Sequence, residues 1–211
     1  MSSSVVDGKV LRTSPSQMTA FDEGSYGGCN RRWWFRYVAG RPEPSAASMK
    51  LGAQVHSQIE HYLKPGEDVR GAIARAGKRF LPRPGKDLIV EAAFQGEDLD
   101  AAGVPVVGRI DLIIGRGEWV DDNGEVRPEP GMWEVVDWKT TSRIDDVRDA
   151  DGTVTSRGYA KSGAELAGTW QMGAYAEAVR RAPGAKDSVR VSHGYFQTKG
   201  PRVASKRSAL L

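Results

Sequence analysis

Hydrophobic positions along the chain change texture near residue 84. Before that point, apolar residues sit in short stretches broken by Gly and Pro. Ser14-Pro15-Ser16 followed by Gln17 to Phe21 predicts a capped helical turn. After the breaks at Gly24, Gly27 and Gly28, Asn30 is placed to cap a helix over 31–38, which stops at Gly40 and Pro42. A longer helix over 46–63 ends at Pro65-Gly66, and a third over 69–80 closes at Pro82 and Pro84. Beyond residue 84, stretches rich in Val and Ile at 88–94, 104–114 and 133–140 read as strands, with Asp122-Asn123-Gly124 as a turn. Residues 143–158 are polar and read as a long loop or flap. Leu166, Trp170, Ala174 and Ala178 keep near one face of a helix over 164–181, and 189–196 reads as a last strand. The order predicts an α/β domain with helices packed on a central sheet. It spans 14–198, between a flexible stretch at 1–13 and a basic tail at 199–211 carrying Lys199, Arg202, Lys206 and Arg207.

Composition narrows the class only a little. A chain of 211 residues suits one compact domain, and 39% hydrophobic with 27% charged residues is ordinary for a soluble protein. The net charge of +3 is compatible with a polyanionic partner but argues weakly for one. Cys29 is alone, so neither an internal disulfide nor a Cys-rich metal site forms, and a reducing interior is expected. No apolar run approaches the roughly 20 residues that span a bilayer. Met1-Ser2-Ser3-Ser4 lacks a secretory pattern, so the expected setting is cytoplasmic with no membrane partner.

The polar residues inside the predicted elements carry the chemistry. In Val135-Val136-Asp137-Trp138-Lys139, strand alternation puts Asp137 and Lys139 on one face and Val136 and Trp138 on the other. The pair suits a hard divalent cation and a positioned water, or a plain ion pair at a sheet end. Asp111 lies inside the apolar run Ile110-Asp111-Leu112-Ile113-Ile114, so it needs a partner: Arg109, backbone donors or a metal. His56 shares a helix face with Gly52 and Glu60, and a glycine in mid-helix hints at close approach by another element. It is either a packed helical histidine or a metal ligand. Gln171 and Tyr175, four apart, can face one ligand or simply pack. In the predicted helix 31–38, Arg32 and Arg36 share a face and are available to phosphate, while the aromatics Trp33, Trp34, Phe35 and Tyr37 serve mostly as core. Walker-type loops, nucleophile elbows and His-Glu-x-x-His pairs are missing.

Taken in order, these motifs resemble the PD-(D/E)XK nuclease superfamily, and within it the RecB-like exonuclease branch. Gly52-x-x-x-His56 resembles the branch's helical histidine motif and Gly108-Arg109-Ile110-Asp111 its Gly-x-x-Asp strand. Asp137-Trp138-Lys139 is similar to the Asp-x-Lys strand, and Gln171-x-x-x-Tyr175 to the element on the following helix. Ser14-Pro15-Ser16, Phe21 and the Cys29 to Phe35 stretch fit the family's opening, with Asn30 where a proline is usual.

The resemblance implies a restriction-endonuclease-like core: a mixed central β-sheet flanked by helices, with an N-terminal helical portion. It implies Mg²⁺ or Mn²⁺ held by His56, Asp111, Asp137 and the carbonyl of Trp138, and Lys139 assisting the attacking water. Gln171 and Tyr175 would support the site or contact DNA, and Glu91 would touch the site from behind. The implied activity is a DNA exonuclease working on single strands or free ends, in repair, recombination or a phage, with a helicase or recombination partner to separate strands. Readings left open are a structure-selective endonuclease and a DNA-binding module whose catalysis has lapsed. Relatives that carry an iron–sulfur cluster use four cysteines, so with Cys29 alone none is expected here.

Overall fold

The structure is a computed structural model that describes residues 4–24, 28–41, 47–95, 99–182, 184 and 188–211. Its centre is a five-stranded sheet of β1 (Leu88–Phe94), β2 (Gly108–Ile114), β3 (Trp133–Thr141), β4 (Val189–Gln197) and β5 (Ala204–Leu210), lying side by side in chain order. Neighbours are antiparallel except β3 and β4, which run parallel with His193 beside Asp137 and Tyr195 beside Lys139. A parallel pair requires a crossover, supplied here by the helical segment between those two strands. The helices are α1 (Pro15–Phe21), α2 (Asn30–Tyr37), α3 (Ala47–Leu63), α4 (Ala72–Ala76), α5 (Gly163–Ala167) and α6 (Trp170–Arg180).

Both faces of β3 are covered, and residues 134–138 are all buried. Val55, Ile59 and Leu63 of α3 pack on Leu112, Ile114, Val136, Trp138 and Phe196 on one face. Met172, Ala176 and Val179 of α6 pack on Ile113, Val135, Val189 and Val191 on the other. Each buried Val, Leu, Ile, Phe or Met among these contributes about 1.5–3 kcal/mol, so the sheet is held from both sides. Gly52 explains how closely α3 approaches: a Cβ there would stand 3.0 Å from Thr140 Oγ1 on β3. Gly194 does the same for Trp138, whose ring occupies the space a side chain would fill.

Several boundaries differ from the sequence pattern. The helix expected over 69–80 shortens to α4 and a 3₁₀ turn at Lys78–Phe80, because Gly71 has φ +79° and Gly77 interrupts the run. The strand expected over 104–114 divides into Val104–Pro105, which pairs with Asp100–Ala101, and β2. The helix expected over 164–181 breaks at Gly168, after which Thr169 accepts a bond from the Met172 amide and starts α6. Asn30 lies within α2 rather than capping it; Cys29 holds the cap position without a side-chain bond. The aromatics of α2 are not core: none of its residues is buried, and Trp34 is 50% exposed.

The flap at 143–158 contains a short hairpin, Val147–Arg148 with Val154–Ser156, and the stretch 1–13 contains another, Val5–Val6 with Lys9–Val10. The presumed tail is the edge strand β5, whose Lys206 is buried with Nζ 2.6 Å from Glu134 Oε1. The expected helix start at residue 46, the stop at Pro42 and the break at Gly27 lie outside the described residues.

Candidate active site

The site forms where β2 and β3 part. Their ladder runs through Ile114↔Glu134, Ile113↔Val135 and Leu112↔Val136 and goes no further. The next pair in register would be Asp111 and Asp137. Instead of continuing the ladder, the Trp138 amide donates to Asp111 Oδ2 at 2.7 Å. The opened strands let groups from both sides of the sheet meet.

From one side, α3 brings His56, whose Nδ1 stands 3.5 Å from Asp111 Oδ2, one turn beyond the glycine that seats the helix on Thr140. From β1 comes Glu91. The β1/β2 register passes from Val90↔Leu112 to Ala92↔Ile110 and omits it, and its φ of +59° lies in the left-handed region that glutamate rarely adopts. Such strain is kept where a side chain must be re-aimed. His56, Glu91 and Asp111 each offer a ligand atom within 4.8 Å of one another. Arg109 pairs with Glu91 at 3.3 Å, so Asp111 finds its partners in a backbone donor and His56.

From the other side, α6 supplies Gln171. Its Nε2 donates to Asp137 Oδ1 at 3.0 Å, and its Oε1 accepts from Lys139 Nζ at 3.1 Å. Lys139 Nζ also lies 2.6 Å from Asp137 Oδ2. One amide thereby fixes the carboxylate and the ammonium relative to each other, as alternation along β3 requires. Tyr175 donates to the Arg109 carbonyl at 2.9 Å and accepts from Gln171 at 3.0 Å, and it is buried. With its hydroxyl engaged in both directions, Tyr175 braces Gln171.

The electrostatics favour a cation. Burial, and then the neighbouring charge of Asp137, push the Asp111 carboxyl up to about 6, although His56, the Trp138 amide and Lys139 pull it down. A buried carboxyl raised in this way is relieved by a divalent ion. The donors are carboxylate oxygens and one imidazole, a set that suits a divalent metal ion.

Sequence reasoning therefore named residues that the fold brings together: His56, Asp111, Asp137, Lys139, Gln171 and Tyr175. Glu91 stands in the His56–Asp111 cluster itself rather than behind it. Arg32 and Arg36 do not join this cluster. They line a surface hollow with Cys29, Arg31, Phe35 and Arg41. Missed altogether was His193 on β4, 4% exposed, with Nε2 3.6 Å from Asp137 Oδ2. Burial pushes its imidazole down to about 4, so the ring is neutral. A histidine inside the apolar stretch 189–196 was the available signal, but only the parallel register shows what it faces.

The family model of the PD-(D/E)XK nuclease superfamily matches residues 72–209. The crystal structure of a presumed exonuclease from Eubacterium rectale is similar to this chain at a TM-score of 0.50 and 17% identity, covering 93% of this chain and 72% of that one. At that identity the likeness concerns the fold. No curated protein matches the chain significantly.

Proposed function

The chain belongs to the PD-(D/E)XK nuclease superfamily, and we propose that it hydrolyses DNA phosphodiester bonds as a divalent-metal-dependent exonuclease acting on single strands or free ends. The observation that carries this reading is the fork itself. Asp111, Asp137, Lys139 and His56 converge where the central sheet opens, with an amide from α6 locking the Asp-Lys pair.

His56, Glu91, Asp111 and Asp137, with the Trp138 carbonyl, would hold Mg²⁺ or Mn²⁺. The bound ion supplies Lewis-acid polarisation of the phosphate and a water acidic enough to attack near neutral pH. Lys139 would position that water or offset charge on the phosphorane oxygens. Gln171 keeps Lys139 aligned, and Tyr175 keeps Gln171 aligned.

Preference for unpaired strands draws support from the N-terminal helices. Phe21, Trp33 and Trp170 line a groove of about 680 Å³, and Trp170 directly precedes Gln171. Bases stack on such rings with little regard to sequence, while the arginines of α2 answer phosphates. Among the described residues no helix is long and apolar enough to cross a membrane. A helicase or recombination partner that separates strands would feed such an enzyme.

The test uses end-labelled single- and double-stranded DNA, linear and circular, with Mg²⁺, Mn²⁺ or EDTA. The expected result is metal-dependent loss of linear DNA with circles spared, and at least about 100-fold slower loss with Lys139→Ala. Cutting of circles would replace the exonuclease reading with an endonuclease using the same residues. Binding without cleavage on every substrate would make this a DNA-binding module.

A further inference from the structure

In a parallel strand pair, residues in register project to the same face, so β4 places His193 and Tyr195 beside Asp137 and Lys139. All but Lys139 are buried: Asp137 and His193 are each 4% exposed and Tyr195 is 3% exposed. The Tyr195 hydroxyl accepts the Lys161 amide at 2.9 Å and stands 2.9 Å from His193 Nδ1. His193 Nε2 faces Asp137 Oδ2 at 3.6 Å.

These contacts select one tautomer. If Nδ1 carried the proton, the tyrosine hydroxyl would accept twice and its own hydrogen would lack a role. The bare nitrogen Nε2 would then confront a carboxylate, lone pair against lone pair, in a dry interior. If the tyrosine donates to Nδ1, its hydrogen and the Lys161 amide are both used, and the proton on Nε2 faces Asp137 Oδ2, 3.6 Å away and not yet bonded.

Oδ2 is already drawn to Lys139 at 2.6 Å, which leaves His193 just beyond hydrogen-bond reach. When Lys139 turns to a water or a phosphate, Oδ2 loses that partner. A shift of about half an ångström then closes the contact to the imidazole.

We infer that His193 is a positioning residue for Asp137: its Nε2–H, set by the Lys161–Tyr195–His193 chain, holds the carboxylate in place while Lys139 serves the reaction. The inference deepens the nuclease reading and rests on it for the role of Asp137. It gives β4 a part in the site that no residue of the Gly-x-x-Asp or Asp-x-Lys motifs carries.

The test compares wild type with His193→Leu, His193→Gln, His193→Asn and Tyr195→Phe. Mn²⁺ binding is measured calorimetrically without DNA, and kcat and KM are measured on single-stranded DNA. Partners that orient a metal ligand are worth about 10–100-fold in affinity or activity. His193→Leu should therefore weaken Mn²⁺ binding at least about 10-fold and lower kcat with KM for DNA unchanged. His193→Gln, whose amide nitrogen falls where Nε2 was, should recover most of the loss. His193→Asn, whose amide falls short, should not. Tyr195→Phe should show a smaller loss of the same kind.

The Gln and Asn pair decides the matter even if the leucine variant does not fold. Equal Mn²⁺ affinity and turnover in all variants overturns the inference, and so does an equal loss in Gln and Asn at unchanged melting temperature. Wild type that binds Mn²⁺ but cleaves no DNA would refute the nuclease reading, while the Mn²⁺ comparison would still decide the role of His193. Wild type that binds no Mn²⁺ overturns both.

Discussion

Asp111 shows how the site stores its demand for a cation in a single residue. Its carboxyl is raised to about 6, first by burial and then by Asp137. A group whose folded value lies above its unfolded one binds more protons when folded, so stability falls as pH rises between the two values. The penalty is absent below 3.8 and complete above about 6. At neutral pH it amounts to roughly 2–3 kcal/mol in the metal-free protein. Asp111→Asn should therefore raise the melting temperature in EDTA near neutral pH by several degrees, at about 2–4 °C per kcal/mol, with the gain fading toward acid. Added Mn²⁺ should raise the melting temperature of wild type and not of the variant. Equal melting of the two proteins across the pH range would refute a destabilised carboxylate. Glu91 carries a second cost, its left-handed backbone at φ +59°. Glu91→Gly and Glu91→Ala both remove the carboxylate, but only glycine relieves the backbone, by about 1 kcal/mol. Both should lose Mn²⁺-induced stabilisation alike, while the glycine variant melts about 2–4 °C above the alanine variant. Scanning calorimetry with and without Mn²⁺ separates the two effects.

Among the elements, α2 departs most from its sequence pattern. A helix with four aromatics reads as core, yet none of its residues is buried. Its rings contact one another, α1 and the arginines: Trp34 meets Phe35 at 5.3 Å, Trp33 meets Phe21 of α1 at 5.2 Å, and Arg36 lies over Tyr37 at 5.1 Å. This arrangement leaves a basic, aromatic surface rather than a packing face. Replacing Arg32 and Arg36 together with Ala should weaken single-stranded DNA binding and flatten its log–log salt dependence by about 1.4, or roughly 0.7 per lost phosphate contact. Binding titrations in EDTA at several salt concentrations would show it, and an unchanged slope would move the DNA path elsewhere. Where one local period governs a segment, the pattern was sufficient. Asp137 and Lys139 alternate against Val136 and Trp138 as expected, and Gly52 does mark a close approach, to Thr140. Where a break depends on backbone torsion, it was not. The interruptions at Gly71 and Gly168, and the cap at Cys29 rather than Asn30, turn on φ values and hydrogen bonds that composition does not reveal.

At the scale of the whole molecule, what the sequence hid is what only tertiary pairing creates. The parting of β2 from β3, the facing of His193 to Asp137, and the recruitment of 204–210 as an edge strand all join segments far apart in the chain. The last of these makes the sharpest test. A cluster of Lys and Arg near a C-terminus reads as a solvated tail, yet Lys206 and Glu134 are each 1% exposed and 2.6 Å apart. Lys206 also donates to the Val120 carbonyl, and the Ser192 hydroxyl donates to Glu134. Removing one member of such a pair strands a buried charge and costs about 3–5 kcal/mol, whereas replacing both by apolar groups is close to neutral. Lys206→Met should thus lower the melting temperature by roughly 10 °C, at about 2–4 °C per kcal/mol. The double variant Lys206→Met, Glu134→Leu should regain much of that loss. Deleting residues 204–211 removes the lysine and also bares the β4 edge, including the strand that carries His193. That deletion should abolish cooperative unfolding, as followed by circular dichroism, and with it the site, whose Asp137 and Lys139 lie more than 60 positions earlier in the chain. A deletion that melted like the full chain would show that β5 adds nothing to the sheet.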